Sequence, residues 1–312
     1  MNGPGWAEVS VPASSGNLGS GFDAIGLAIE LRDTFRFEHS HRDYIEADGK
    51  FAKFVPVDVR RNLSFRAFRS LAPQSAGRYR LHVHRVTPGQ GGLGSSACAI
   101  VGGLVAAKLA FNLEISSDEL LERAADLEGH PDNVGPALVG GLVITVRDGS
   151  DLHWLPVKFP DSLGIVLIVP AYRVATARAR VVLPQQVPLA DAVANLSRTA
   201  LLIGALQAGR FDQLRVATTD QLHEPYRSKL NPALDPCRES AAAAGAYATV
   251  LSGSGPTIIA FCPPERNLTI ASAMGEACTV SGHKCETYVI GAASSGAQPT
   301  ENWIKQTRKS DL

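Results

Sequence analysis

Residues 80–111 restrict the fold more than any other part of the chain. Arg80-Leu81-His82-Val83-His84-Arg85-Val86 alternates polar and apolar side chains, the pattern of a half-buried strand. It runs into Thr87-Pro88-Gly89-Gln90-Gly91-Gly92-Leu93-Gly94-Ser95-Ser96, after which Ile100, Leu104, Lys108 and Phe111 mark a mostly apolar helix. This order aims the unpaired N–H groups of the helix start at one point, where the helix dipole adds positive potential. Gly89, Gly91, Gly92 and Gly94 let backbone approach a bulky anion, and Ser95 and Ser96 add hydroxyl donors. The alternative is a flexible loop that needs unusual dihedrals; the phosphate cradle is the stronger reading.

The kind of phosphate ligand is a separate question. Gly89-x-Gly91-x-x-Gly94 has the spacing of a dinucleotide-binding turn. That turn follows its strand directly and is answered by an acid ~20 residues later at the end of a second strand. Here Pro88 intervenes, and Glu114, at about the right distance, precedes a helix cap instead. No Gly-Lys-Ser/Thr follows, so the loop is not of the P-loop type either. A kinase-type loop outside both classes is expected.

The rest of the chain reads as α+β layers. Residues 7–11 alternate as a strand, and 12–23, dense in small and turn-forming residues, read as a loop. Strands are expected at 24–29 and 34–38 and a helix at 62–71. Ser116-x-x-Glu119 is a capping box for a helix through Leu127. A polar loop over 128–134 precedes a strand at 138–146. The weakly patterned 147–160 marks a crossing between two domains, 1–155 and 156–295. The second half reads as strand 163–169, helices 189–208 and 211–222, strands 247–251 and 257–261, helix 267–280 and strand 285–290. The polar tail, 296–312, is expected to be loosely held.

Composition narrows the function. The 312 residues are 45% hydrophobic and 19% charged, enough apolar material for real cores. Lys+Arg and Asp+Glu both number 30, so the chain lacks the bulk basic field of a nucleic-acid or anionic-membrane binder. Cys98, Cys237, Cys262, Cys278 and Cys285 show no CxxC spacing, which suggests neither a disulfide framework nor a zinc cluster. No apolar run approaches the ~18 residues of a membrane helix, and the first residues carry no secretory pattern, so a cytoplasmic chain is expected.

Other motifs allow two readings each. Asn17 and Asp23 are turn formers or ligands. His130 and Asp132 share a loop, but no third ligand has zinc spacing. Glu128 either holds Mg²⁺ or faces solvent at a helix end. Leu251-Ser252-Gly253-Ser254-Gly255-Pro256-Thr257 is a glycine hairpin or a ligand turn. Arg173, Arg178, Arg180 and Arg227 are scattered cations whose default is a solvated face.

Taken together, six blocks resemble those of the GHMP small-molecule kinases, and among them the homoserine kinases. They are Pro12-Ala13-Ser14-Ser15-Gly16-Asn17-Leu18-Gly19-Ser20-Gly21-Phe22-Asp23, the loop from Pro88 to Ala97, and Glu128-Gly129-His130-Pro131-Asp132-Asn133-Val134-Gly135-Pro136-Ala137. Thr176-x-x-x-Arg180-x-x-Leu183-Pro184, His223-Glu224-Pro225-x-Arg227 and Ser252-Gly253-Ser254-Gly255-Pro256-Thr257 complete the series, in the family's order, across residues ~7 to ~290. The resemblance implies a domain like the second domain of ribosomal protein S5 followed by a ferredoxin-like domain. It also implies ATP-dependent phosphorylation of the L-homoserine hydroxyl, as in threonine synthesis.

Residue by residue, the resemblance places Pro88, Gly89, Gln90, Gly91, Gly92, Leu93, Gly94, Ser95, Ser96 and Ala97 on ATP, and Ser96 and Glu128 on Mg²⁺. Asn17, Asp23, His130, Asp132, Thr176, Arg180, Arg227 and Gly253 would line the homoserine pocket. Asp132, Asn133 and Asp23 would serve the chemistry, with Asp132 an orienting residue or a base. A zwitterionic substrate requires cations for its carboxylate and an anion for its ammonium; Arg180 and Arg227 can fork onto the former. Members of the family are commonly dimers. Gly16 stands where the family usually has Ala, and Gly91 where many members carry Arg, so one phosphate cation is missing. A kinase for another small alcohol, a nucleotide-binding regulator without turnover and a nicotinamide oxidoreductase are the alternatives.

Overall fold

The computed structural model describes residues 5–89 and 91–310. In chain order the first half runs β1 (Ala7–Asn17), β2 (Gly21–Ser40), β3 (Tyr44–Asp48), α1 (Leu63–Leu71), β4 (Arg78–His84), α2 (Ser95–Phe111), α3 (Ser117–Glu128), α4 (Pro131–Val139), β5 (Leu142–Asp148) and β6 (Asp151–Val157). The second half runs β7 (Gly164–Pro170), α5 (Thr176–Val181), α6 (Leu189–Ala208), α7 (Leu214–Ala217), α8 (Glu224–Arg227), α9 (Leu234–Ala243), β8 (Ala248–Leu251), β9 (Ile258–Cys262), α10 (Asn267–Val280) and β10 (Cys285–Ile290). β11 (Gln298–Pro299) and α11 (Glu301–Ser310) follow.

These strands form a seven-stranded sheet, ordered β11-β1-β2-β4-β3 with β5 joined to β2 and β6 to β5, and a four-stranded antiparallel sheet, ordered β10-β7-β9-β8. α2 is apolar on every side and therefore buried between the first sheet and its neighbouring helices. Asn62 caps α1 by accepting from Phe65 N at 2.9 Å, and Ser116 and Glu119 close the expected capping box on α3. Each cap contributes about 1 kcal/mol. One buried apolar cluster crosses between the sheets, joining Leu27 and Ile29 of β2 and Leu93 to Leu167 and Ile259. That shared core fixes the cleft between the two halves.

Several expectations are corrected. Residues 12–17 are not loop but the buried end of β1, and only Leu18, Gly19 and Ser20 turn. Small residues are needed there because α4 packs on the backbone. A Cβ on Gly26 of the paired strand would lie 1.7 Å from Asp132 O. The expected strands at 24–29 and 34–38 are one strand, β2, with a register shift opposite Pro12 and Ala13. Residues 131–139 are helical, since Pro131 at the first helical position lacks an N–H that the helix would leave unpaired anyway. The weakly patterned 147–160 contains β6, which pairs with β5. Only part of 211–222 is helical.

The tail is not loose either. β11 pairs with β1 through Val9 and Ser10, and Trp303 Nε1 donates to Trp6 O at 3.0 Å while the two indoles meet edge to face. α6 is long and apolar enough, by length and composition, to cross a membrane, contrary to the sequence expectation. Its Leu202, Ala205 and Leu206 belong to the shared core, and Asn195 Nδ2 and Thr199 Oγ1 both donate to Ser20 O. It is the packing helix of the turn between β1 and β2.

Candidate active site

A cleft of ≈ 250 Å³ lies between the sheets, where the phosphate loop, the β1–β2 turn, the start of α4, α5, α8 and the Gly253 turn converge. On one side the loop feeds α2. Its residues Ser95, Ser96 and Ala97 carry first-turn N–H groups that no preceding helical carbonyl can satisfy, and among the described residues no side chain caps them. Leu93 and Ala97 turn their side chains into the core, so an anion meets only their backbone. Pro88 and Gly89 lie on the rear of the loop, and Gln90 lies outside the described residues.

The loop is clamped from both halves of the molecule. Asp33 Oδ1 accepts from Val86 N and Thr87 N, each at 2.8 Å. Ser252 Oγ donates to Gly92 O at 2.7 Å, and Thr257 N donates to Gly91 O at 3.0 Å. Gly92 has φ +78 and Gly94 φ +59; a Cβ would fall 2.3 Å from Ser252 O at the first and 2.0 Å from Ser14 Oγ at the second. Only glycine fits at both.

Ser96 Oγ donates to Glu128 Oε1 at the edge of the cleft. The Glu128 side chain is 8% exposed rather than solvated, and burial pushes its carboxyl above the ordinary value. His130 Nδ1 lies 2.6 Å from Asp132 Oδ1, and its Nε2 3.8 Å from Glu128 Oε1. Burial alone would lower the His130 pKa, but the Asp132 hydrogen bond and the two carboxylate charges outweigh it and raise it. Asp132 and Asn133 occupy the buried first turn of α4, and Asn133 Oδ1 accepts from Ser14 Oγ at 3.0 Å.

The opposite wall is built from side chains of distant segments. Arg180 of α5 donates from both Nη atoms to Asp23, each at 2.9 Å, and that pairing raises its pKa. Arg227 is 2% exposed, far from the solvated default; burial lowers its pKa. Asn17 Nδ2 donates to Gly253 O at 2.8 Å, and its Oδ1 accepts from Asp23 N at 3.0 Å, so its amide ties the turn together. Thr176 opens α5 with its Oγ1 3.4 Å from Ser254 Oγ. Asn17, Asp23, Ser96, Glu128, His130, Asp132, Asn133, Thr176, Arg180, Arg227 and Gly253 therefore share one cleft.

Sequence reasoning missed a second cavity of ≈ 370 Å³ that meets the loop at Gly89, Ser95 and Ser96. Phe54, Val55, Pro56, Leu63 and Ala99 supply its apolar lining. The Arg173 guanidinium lies 4.0 Å from the centre of the Phe54 ring. Residues 51–56 carry no periodic signal, and Arg173 stands alone in the sequence, so nothing local marked this pocket.

A helix N-terminus opening on a cleft with buried guanidinium and carboxylate groups defines a phosphotransferase for a small charged acceptor. Residues 62–141 match the GHMP kinases N terminal domain, and residues 202–280 match GHMP kinases C terminal. The homoserine kinase of Moorella thermoacetica is 39% identical over 293 residues, 93% of this chain and 98% of that one. That of Synechocystis sp. is 38% identical over 300 residues, 94% of this chain and 98% of that one. The crystal structure of homoserine kinase from Cytophaga hutchinsonii superposes with a TM-score of 0.85 at 27% identity, covering 96% of this chain and 99% of that one. The chain belongs to the GHMP kinases and, within them, to the homoserine kinases.

Proposed function

We propose that the chain transfers the terminal phosphoryl group of ATP to the side-chain hydroxyl of L-homoserine, giving O-phospho-L-homoserine. The observation that carries this reading is the placement of the free amides of α2 opposite a buried Arg227 and the Asp23–Arg180 pair in one cleft. The triphosphate lies on the loop and the helix start, whose N–H groups and dipole stabilise its charge. The nucleoside occupies the pocket beside Phe54 and Arg173, where a flat ring finds an aromatic face and a stacked guanidinium.

Homoserine sits across from the phosphate. Its carboxylate meets Arg227, with Arg180 beside it, and its ammonium meets the carboxylate of Asp23. Asp132 accepts a hydrogen bond from His130 on one oxygen, which leaves the other for the substrate hydroxyl. Against the opposing effect of burial, the Asp132 hydrogen bond raises the His130 pKa, which favours His130 as the donor to an orienting Asp132. Asn133, fixed by Ser14, faces the transferring group.

The donor set beside the loop suits Mg²⁺, which needs one or two protein oxygens and otherwise takes phosphate and water oxygens. Ser96 Oγ and the buried Glu128 carboxyl are such hard oxygens, and among the described residues no cluster of three or more His, Cys, Asp or Glu offers a competing site. When bound, the ion neutralises charge on the phosphate oxygens. A coupled assay of ADP release across homoserine, serine, threonine, mevalonate and galactose tests the reading. Homoserine is expected to have the highest kcat/KM; preference for another alcohol overturns the substrate, and turnover of none overturns the activity.

A further inference from the structure

The buried arginine of the cleft is held by a histidine that no part of the chemistry above uses. Arg227 Nε donates to Ala179 O at 3.2 Å, Nη1 donates to Gly253 O at 3.3 Å, and Nη1 lies 3.2 Å from His223 Nδ1. A guanidinium offers only donors, so His223 Nδ1 is the acceptor and carries no proton. The ring proton then resides on Nε2, which donates to Gly19 O at 2.9 Å in the turn between β1 and β2. His223 is fully buried and stacked on Phe22, with ring centroids 5.0 Å apart, and the same ring lies 5.2 Å from the Arg227 guanidinium carbon. Asp220 Oδ2 accepts from the His223 and Glu224 N–H groups, each at 2.7 Å, and fixes the backbone from which His223 and Arg227 project. Arg227 Nη2 makes no hydrogen bond among the described residues, and Arg227 lines the cleft.

We infer that His223 is a positioning residue for substrate recognition: as the neutral Nε2–H tautomer it sets the plane of the Arg227 guanidinium so that Nη2 meets the substrate carboxylate. It also ties that arginine to the turn that leads into Asp23, so both charge-recognition groups of the pocket share one support. Burial favours the neutral ring by lowering its pKa. The inference rests on the assignment of Arg227 to the carboxylate of homoserine.

Asparagine places an oxygen where Nδ1 stands, and glutamine places an amide N–H where Nε2 stands, so the two variants separate the two bonds. Steady-state kinetics for homoserine and ATP, with thermal melting, are measured for the native protein, His223→Asn, His223→Gln and Arg227→Lys. His223→Gln is expected to raise the homoserine KM about tenfold, with kcat and the ATP KM within about twofold; His223→Asn is expected to stay near the native KM even if it melts earlier. The inference is overturned if His223→Gln keeps the native homoserine KM, if His223→Asn is no better than His223→Gln, or if both raise the ATP KM equally. If Arg227→Lys raises the homoserine KM while the His223 variants do not, only the positioning role fails. If Arg227→Lys leaves it unchanged, or the native protein shows no homoserine-dependent turnover, the assignment of the cleft fails with it.

Discussion

The two walls of the cleft handle charge by opposite means. The phosphate wall is backbone: free N–H groups of α2, glycines with no room for a side chain, and a loop clamped through its carbonyls. The opposite wall is side chain: the buried Arg227 and Asp132 and the half-buried Arg180 and Asp23, brought together from β2, α4, α5 and α8. A backbone cradle tolerates any group with phosphate geometry, whereas a buried constellation of charges discriminates, because a missing partner leaves a desolvated charge unpaired. Nucleotide binding and acceptor choice are therefore separable by mutation.

The largest separation is expected from Arg227→Ala. It should cost homoserine use about 2 kcal/mol or more, roughly thirtyfold in kcat/KM, with the ATP KM unchanged. Equal losses for both substrates would merge the two walls. Gly94→Val is the counterpart: its Cβ would meet Ser14 Oγ, so the ATP KM should rise about tenfold or more and the melting temperature fall. An unchanged ATP KM would remove the loop from phosphate binding. Glu128→Gln should raise the Mg²⁺ concentration for half-maximal rate by about tenfold at a constant homoserine KM.

The helix that carries Arg227 into the cleft also holds a titrating group outside it, in a neighbouring cavity. Glu224 accepts from Leu251 N and pairs with Arg238, each at 2.6 Å, and burial pushes its carboxyl from 4.5 up to about 7. The folded state thus prefers the protonated form. That contribution is complete below the unfolded value and is lost as pH rises through about 7. Melting temperatures of Glu224→Gln and the native protein should diverge in the variant's favour across this window; parallel curves would show that Arg238 already neutralises the site. The smallest effect is expected from Gly91→Arg. Gly91 has ordinary dihedrals, and a Cβ there makes only ordinary contacts, the nearest at 3.4 Å to Pro88. Restoring the cation common in the family should lower the ATP KM about threefold.

The same contrast decides what was legible in the sequence. The phosphate wall is local: strand, glycines and helix follow one another within residues 80–111, so their order could be read directly. α6 and α10 also fall where their apolar patterns place them. The side-chain wall is not local. Nothing near Arg227 marks it as buried, and its role came only through resemblance. The end of β1 was missed because a strand pressed on by α4 needs small residues, which erase the alternation that signals a strand. The Phe54–Arg173 pocket and the His223 bridge join residues far apart in the chain, and no spacing rule reaches that far.

Substrate analogues test the division of labour most directly. 3-Aminopropan-1-ol is homoserine without its carboxylate. Native protein is expected to phosphorylate it roughly thirtyfold less efficiently than homoserine or worse, with Arg227→Ala removing most of the difference, since no buried guanidinium is then left unpaired by the missing carboxylate. Equal kcat/KM for the two alcohols in the native protein would contradict the account, because the buried arginine would then recognise nothing.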